Sequence, residues 1–401
     1  MSKPIMRTVT TTISPEYEIR HIQFMYQTRQ LFAIKKYVDM SPDDFDFDLH
    51  IEDLFLYKGI LSCDARTGEV ITYYFPQSKV ATLSNSANTH TLFYLAYSDY
   101  YNRLYCYKRD LEAEVDQLVF TKDIRGAYEP SINRIWSVHH FCSLNNRYAL
   151  ISYLLPDQER GYNYALIDAV EQNITPFIPG DIIRNIESIM GFNCNGTEYL
   201  LIKTGEHMVH ERKIDWEYNR PEVEQLIVIA VDEFIAKVQA NDTDLSDHII
   251  FSAQSHEAFA DLIILDHQLV ILVERFDTAD SLLMIYTVDN QNKEYISYPH
   301  VYNKLYHLNH IFYATHTSDM STRLYKLSTG EQIAEILQPQ GIVTMIEEGI
   351  VTIDQRLGSE DRQLYIYNDQ GYTLWTEDCA RIDYKQQFIF KIKQSEQHSS
   401  L

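Results

Sequence analysis

A strand, a tight turn carrying glycine and a second strand recur through this chain, as "LSCDARTGEVITYYF" (61–75), "LYKLSTGEQIAEI" (324–336) and "LYIYNDQGYTLW" (364–375). Apolar residues alternate on both sides of each turn, the pattern of two antiparallel strands that bury one face. Such hairpins return about every 45 residues, and most of the sequence between them reads as further alternating strand. A small antiparallel sheet of this kind cannot cover its own apolar face. It is stable only with a neighbour stacked against it.

The runs divide into seven such sheet units. The first spans 19–38 and 54–75 around an acidic insertion near 39–53, the second 79–123 and the third 135–178. The fourth spans 186–240 around a polar insertion near 207–225; the fifth begins with "HIIFSAQ" (248–254), the sixth covers 304–336 and the seventh 341–375. Recurrence at this spacing predicts an all-β fold: a single β-propeller domain over residues 1–401, with seven blades, six and eight being the alternatives. Helix is expected only in "VDEFIAKVQA" (231–240). The hairpin "ARIDYKQQFIFKIK" (380–393) is left over, and the strand near 19–26 lacks a preceding neighbour. Their pairing would remove two exposed sheet edges and close the ring.

The turns "CDARTGEVI" (63–71), "KLSTGEQIAEI" (326–336) and "YNDQGYTLW" (367–375) resemble the outer-strand hairpins of quinoprotein-type, or PQQ-like, propeller repeats. Glycine there takes the turn position that needs a positive φ. The resemblance implies a propeller fold and no cofactor, because members that hold pyrroloquinoline quinone use adjacent cysteines, and this chain has none.

Tyr contributes 30 of the 401 residues and Phe 18, both suited to the half-buried surface of a sheet. A net charge of -23 repels phosphate backbones and anionic lipid, so neither nucleic acid nor membrane is an expected partner. The five cysteines (Cys63, Cys106, Cys142, Cys194, Cys379) are scattered and contain no Cys-x-x-Cys, which predicts reduced, buried thiols. The first twenty residues lack the apolar stretch of a secretory signal, which predicts a cytoplasmic protein.

Candidate chemistry is sparse. His207 and His210 stand three apart in "GEHMVHERK", one short of the i,i+4 spacing that puts two imidazoles on one helix face, and the general-base Glu is out of place. Asp44, Asp46 and Asp48 alternate in the acidic insertion, but Leu49 and Phe55 occupy the positions an EF-hand reserves for Gly and an acid. In "YHLNHIFYATH", strand parity puts His310 and His316 on one face and His307 on the other. No bound metal and no cofactor is expected. The insertion at 207–225 carries Trp216 and Tyr218, residues that anchor interfaces, beside His207 and His210. These four are the candidate binding residues.

The favoured function is non-catalytic: binding or scaffolding of a protein or peptide, basic in charge, through loops on one propeller face. The alternative is a hydrolase or lyase acting on a small or carbohydrate-like substrate, a small molecule or sugar, at the central channel. No catalytic residue is assigned. The pattern predicts a far-ultraviolet circular dichroism spectrum of strand type; a helix-dominated spectrum would remove the propeller expectation.

Overall fold

The computed structural model describes residues 6–26, 29–38, 53, 55–64, 67–87, 89–98, 102–123, 137–154, 163–177, 186–205, 224–242, 244–254, 256–265, 267–308, 310–318, 320–337, 340–346, 349–354, 363–367, 373–378, 382–385 and 388–394. Its contacts divide the chain into two compact units, one built mostly from Ser252–Lys393 and the other mostly from Thr11–Glu206 with Gln225–Phe251.

The second of these units contains four successive antiparallel meanders. The first is Tyr17–Tyr26, Arg29–Lys36, Tyr57–Asp64 and Val70–Tyr74; the next is Val80–Leu83, Thr91–Tyr97, Arg103–Asp110 and Val115–Asp123. A bridge between Tyr57 and Val80 and a parallel pairing of Phe24 with Ser86 join these two into one nine-stranded sheet. The third meander is Ser137–Ser143, Tyr148–Leu154, Asn163–Asp168 and Asn173–Phe177. The fourth is Ile186–Cys194, Thr197–Thr204, Gln225–Ala230 and Ile249–Ser252, with helix α1 (Val231–Gln239) between its last two strands. Ile249–Ser252 therefore completes the fourth sheet, not the fifth as expected from sequence. The helix carries the chain from one side of the sheet to its open edge, a connection that a hairpin pattern does not signal.

In the other unit the fifth meander is Glu257–Leu265, Gln268–Arg275, Asp280–Thr287 and Asn292–Tyr298. The sixth is Lys304–Leu308, Ile311–Thr317, Ser321–Lys326 and Glu331–Leu337, and the seventh Gln340–Ile346, Gly349–Asp354, Gln363–Tyr367 and Thr373–Asp378. A three-stranded sheet has Phe388–Gln394 at its centre, flanked by Ile382–Lys385 and by Met6–Thr11. The C-terminal hairpin thus pairs with the N-terminal end, but through Met6–Thr11. The strand at 19–26, the expected partner, pairs with Arg29–Lys36 on one edge and with Ser86–Ala87 on the other. Each end of the chain satisfies the backbone of the other.

Packing follows from strand order. The second strand of a meander has hydrogen-bonded neighbours on both sides, and its two faces meet different neighbouring sheets. In "TLFYLAY" (Thr91–Tyr97) all seven residues are buried. Leu92, Tyr94 and Ala96 pack with Leu31 and Ile60 of the first meander, while Phe93, Leu95 and Tyr97 pack with Phe141, Ile151 and Ile167 of the third. The same logic joins Leu150, Tyr164 and Leu166 to Leu200, Ile202 and Ile227, with Phe234 and Val238 of α1 closing that core. Val270, Leu272 and Leu283 pack on Leu305 and Ala314, and Leu324 and Ile336 on Met345 and Ile350. Each such side chain contributes about 1.5–3 kcal/mol on burial. Outermost strands have no such cover, and Asn292–Tyr298 is exposed along nearly its whole length.

Two devices recur that the hydrophobic pattern does not announce. Connections 111–114, 169–172, 288–291 and 327–330 each end on a residue with positive φ: Glu114 (56°), Gln172 (53°), Gln291 (55°) and Gly330 (70°). Only Gly330, and Gly68 (75°) in the first meander, carry the glycine that sequence inspection looks for. A side chain at such a position costs about 1–2 kcal/mol, which the flanking ladder supplies. The second device is a bulge in the first strand of several meanders, where the register skips His139, Glu187, Ala260 or Val343.

Removing residues 380–401 takes away the partner of Met6–Thr11. The shortened chain is expected to melt at a lower temperature and to aggregate, since Met6–Thr11 loses its hydrogen-bonded neighbour. A monomeric truncation with an unchanged melting temperature would show that this sheet is dispensable.

Candidate functional site

In a four-stranded meander, alternate connections emerge at opposite edges. Those joining strands one to two and three to four are mostly short: 195–196, 266–267 and 309–310 have two residues, and 111–114, 169–172, 288–291 and 327–330 have four. Those joining strands two to three, or one meander to the next, include 37–56, 124–136, 155–162, 178–185 and 205–224. In the first four meanders the longer stretches between strands therefore start and end at one edge, the usual place for recognition, whereas in the fifth and sixth both kinds are short, as at 276–279 and 318–320. Helix α1 lies in a three-to-four connection, but Val231, Phe234, Ile235 and Val238 are buried and it serves as core cover.

Both insertions expected from sequence fall in chain order between strands two and three of a meander, within 37–56 in the first and 205–224 in the fourth. Trp216, Tyr218, His207 and His210 lie outside the described residues, as do Asp44, Asp46 and Asp48. Asp53 is described, and its carboxylate receives Lys36 Nζ at 2.7 Å and Lys58 Nζ at 3.9 Å.

The polar side chains that strand ends bring to the same edge carry no recognisable motif. Lys35 is the penultimate residue of its strand and is 8% exposed. It sits across from Glu18 on one side and Tyr57 on the other, with Nζ 4.5 Å from the centre of the Tyr57 ring. Arg20, paired with Glu18 at 2.7 Å, is the nearby cation. Burial, and secondarily Arg20, lowers the Lys35 amine from 10.5 to about 8. Lys203 holds the equivalent place in the fourth meander, with Nζ 2.7 Å from Glu187, the residue that the bulge pushes out of register.

In the other unit Glu274 is the penultimate residue of its strand and accepts a hydrogen bond from Asn303 Nδ2 at 2.8 Å. Asp261, just past its bulge, accepts the backbone N–H of Leu305 in the next meander at 2.8 Å, and burial raises its pKa. His140 makes the corresponding link in the third meander, from Nε2 to the carbonyl of Ile186 at 2.7 Å. The residue after the bulge is thus a tie between consecutive first strands.

His307, His310 and His316 do not follow strand parity. A turn at 309–310 intervenes, His310 has φ 62°, and the rings of His307 and His310 lie side by side with centroids 6.2 Å apart. His316 is on the following strand, its Nδ1 2.8 Å from the carbonyl of Val301. Burial, with His310 as second cause, lowers the His307 pKa.

A second polar cluster stands at the short-turn side of the first two meanders. Asp116 accepts hydrogen bonds from Tyr73 Oη, Tyr94 Oη (3.0 Å) and Arg109 Nη1 (3.0 Å). The Arg109 guanidinium also lies 3.1 Å from the Tyr73 ring centre. Burial, followed by the Asp116 carboxylate, pushes both phenols up. Tyr94 stacks on Tyr107, whose hydroxyl accepts from Gln77. Asp116 thus gathers donors from both meanders and links them, while Arg109 Nε is buried without a hydrogen-bond partner among the described residues.

Among the described residues no three His, Cys, Asp or Glu side chains are grouped as a metal would require. Cys63, Cys106, Cys142 and Cys194 are free and buried, and burial pushes the Cys63 thiol to about 11 and that of Cys142 to about 12. Such thiols are inert. Among the described residues no helix is long and apolar enough to cross a membrane.

No family model matches the chain, and no curated protein does. Solved structures are similar to it at low identity. An oligogalacturonate lyase in complex with manganese has a TM-score of 0.45 at 10% identity, over 87% of this chain and 89% of its own. The Dos1 propeller has 0.42 at 9% identity, over 92% and 91%. The β-propeller domain of the trilobed protease from Pyrococcus furiosus has 0.43 at 9%, over 92% and 96%. With TM-scores this low, the architecture rests on the strand order.

Because the folded pKa of Lys35 lies below its unfolded value, the protonated amine is a cost to folding below pH 8, relieved as the pH rises from about 8 to 10.5. Over that window the protein is expected to gain stability relative to Lys35→Met, by an amount on the order of 3 kcal/mol at about 1.4 kcal/mol per unit. Parallel stability curves for the two proteins would place the amine in water.

Proposed function

We propose that this chain is a non-catalytic binding or scaffold protein, a β-propeller that recognises a protein or peptide through the loops at one face. The observation that carries this reading is the allocation of loop length. Two-residue and four-residue turns dominate one edge of the meanders, and in the first four the longer stretches between strands, such as 37–56, 124–136 and 205–224, start and end at the other. Stacked four-stranded meanders supply a rigid scaffold, and a rigid scaffold with extended loops on one side is suited to binding without a conformational change. The net charge of -23 favours a basic partner, whose encounter it would speed at low salt.

A hydrolase or lyase acting on a small or carbohydrate-like substrate is the second reading. Its support is Lys35, whose amine is held at about 8 at the same edge and would be partly neutral near physiological pH.

Replacing Trp216 and Tyr218 together with Ala tests the binding reading. The expected result, measured by calorimetry with a partner recovered by pull-down, is a loss of about 2 kcal/mol or more in affinity with an unchanged melting temperature. Full affinity in the double variant would move recognition away from 207–225, and unfolding would make those residues core.

A further inference from the structure

The hairpin that opens the sixth meander ends in two imidazoles. His307 is the fourth residue of the strand Lys304–Leu308, His310 is the last residue of the two-residue turn 309–310, and Ile311–Thr317 returns. A side chain at an ordinary strand position would point away from its neighbour in the turn. The left-handed conformation of His310, φ 62°, brings its ring beside that of His307, with centroids 6.2 Å apart and planes at 74°. Phe312, the cross-strand partner of His307, lies against the His307 ring at 4.9 Å and limits its rotation. His310 is exposed and His307 half-buried, so the space between the rings is open to solvent on one side.

A metal-bound imidazole nitrogen sits about 2.0–2.1 Å from the ion, which puts the ring centre about 3.2 Å away and two rings on one ion at most about 6.4 Å apart. The two rings here are within that span, and a tetrahedral angle at the ion needs them about 1 Å closer, a movement open to the exposed His310. Phe312 beneath one ring pre-orders half of the pair. Neither imidazole is hydrogen-bonded to protein among the described residues, so a cation would displace water only.

We propose that His307 and His310 form a two-imidazole site for a late first-row divalent cation such as Zn²⁺ or Cu²⁺ at the tip of this hairpin. Imidazole suits these ions over Mg²⁺ or Ca²⁺, with Cu²⁺ bound more tightly than Zn²⁺. Two protein ligands leave the remaining positions to water or to a donor from another molecule. The site stands apart from the loop-bearing edge, at a one-to-two turn, and does not depend on the binding function.

The test uses the full chain, titrated with ZnCl₂ and with CuCl₂ by calorimetry, with the nitrogen hyperfine pattern of bound Cu²⁺ as a second readout. Saturable uptake is expected, with two imidazole nitrogens on Cu²⁺. His307→Gln or His310→Asn should weaken uptake by about tenfold or more and reduce the nitrogen count, because one donor no longer holds the ion for the other. Asn tolerates the left-handed turn position, so His310→Asn keeps the hairpin, and the metal-free melting temperature should be unchanged. His207→Gln with His210→Gln should retain the uptake. Absence of saturable uptake, or wild-type affinity in both His307→Gln and His310→Asn, would overturn the site, as would loss of uptake only in the His207/His210 variant.

Discussion

No meander in this protein can bury its own faces. Four strands of a small antiparallel sheet present apolar side chains both above and below the ladder, and these are satisfied only by the sheets before and after. Thr91–Tyr97 shows the constraint in a single strand: Leu92, Tyr94 and Ala96 belong to the core shared with the first meander, and Phe93, Leu95 and Tyr97 to the core shared with the third. Stability within each unit is then a sum of sheet-to-sheet interfaces, as in other repeated architectures.

Polar groups tie those interfaces where apolar packing gives out. Asp261 reaches the Leu305 amide, His140 the Ile186 carbonyl, and Ser84 the hydroxyl of Ser143 at 2.6 Å, each crossing from one meander to the next. Asp116, ion-paired with its cross-strand neighbour Arg109, does the same by accepting Tyr73 Oη of the first meander. The side chains of that pair are 14% and 3% exposed, so losing one partner would leave a charge with little water to receive it, a loss of about 3–5 kcal/mol.

The same alternation of strand direction that builds the sheets separates the two edges. Tight turns need particular backbone conformations, met by Glu114, Gln172, Gln291 and Gly330, and they leave little room for insertions. The longer stretches, which contain the acidic segment at 39–53 and the polar segment at 207–225, start and end on strands at the opposite edge. Lys35 and Lys203 lie where the chain leaves the sheet toward those stretches, and burial lowers the Lys35 pKa.

Much of the architecture was legible in the alternating runs: the all-β class, the order of the meanders, helix α1 at 231–239, and a pairing between the two chain ends. Those features depend on local periodicity, which side-chain chemistry writes directly into the sequence. Other features depend on which strand lies next to which. Ile249–Ser252 has the same apolar pattern whether it ends one sheet or begins another, and only the path of the helix decides. Met6–Thr11 rather than 19–26 receives the C-terminal hairpin, the strand at 17–26 being paired with Arg29–Lys36 on one edge and with Ser86–Ala87 on the other. The candidate site was least legible. Trp216 and Tyr218 could be chosen from composition, but Lys35, Asp116 and the His307–His310 pair carry no motif. A bulge, a left-handed turn residue or a cross-strand neighbour sets each of their environments, and these are properties of backbone geometry that alternation of residue type does not encode.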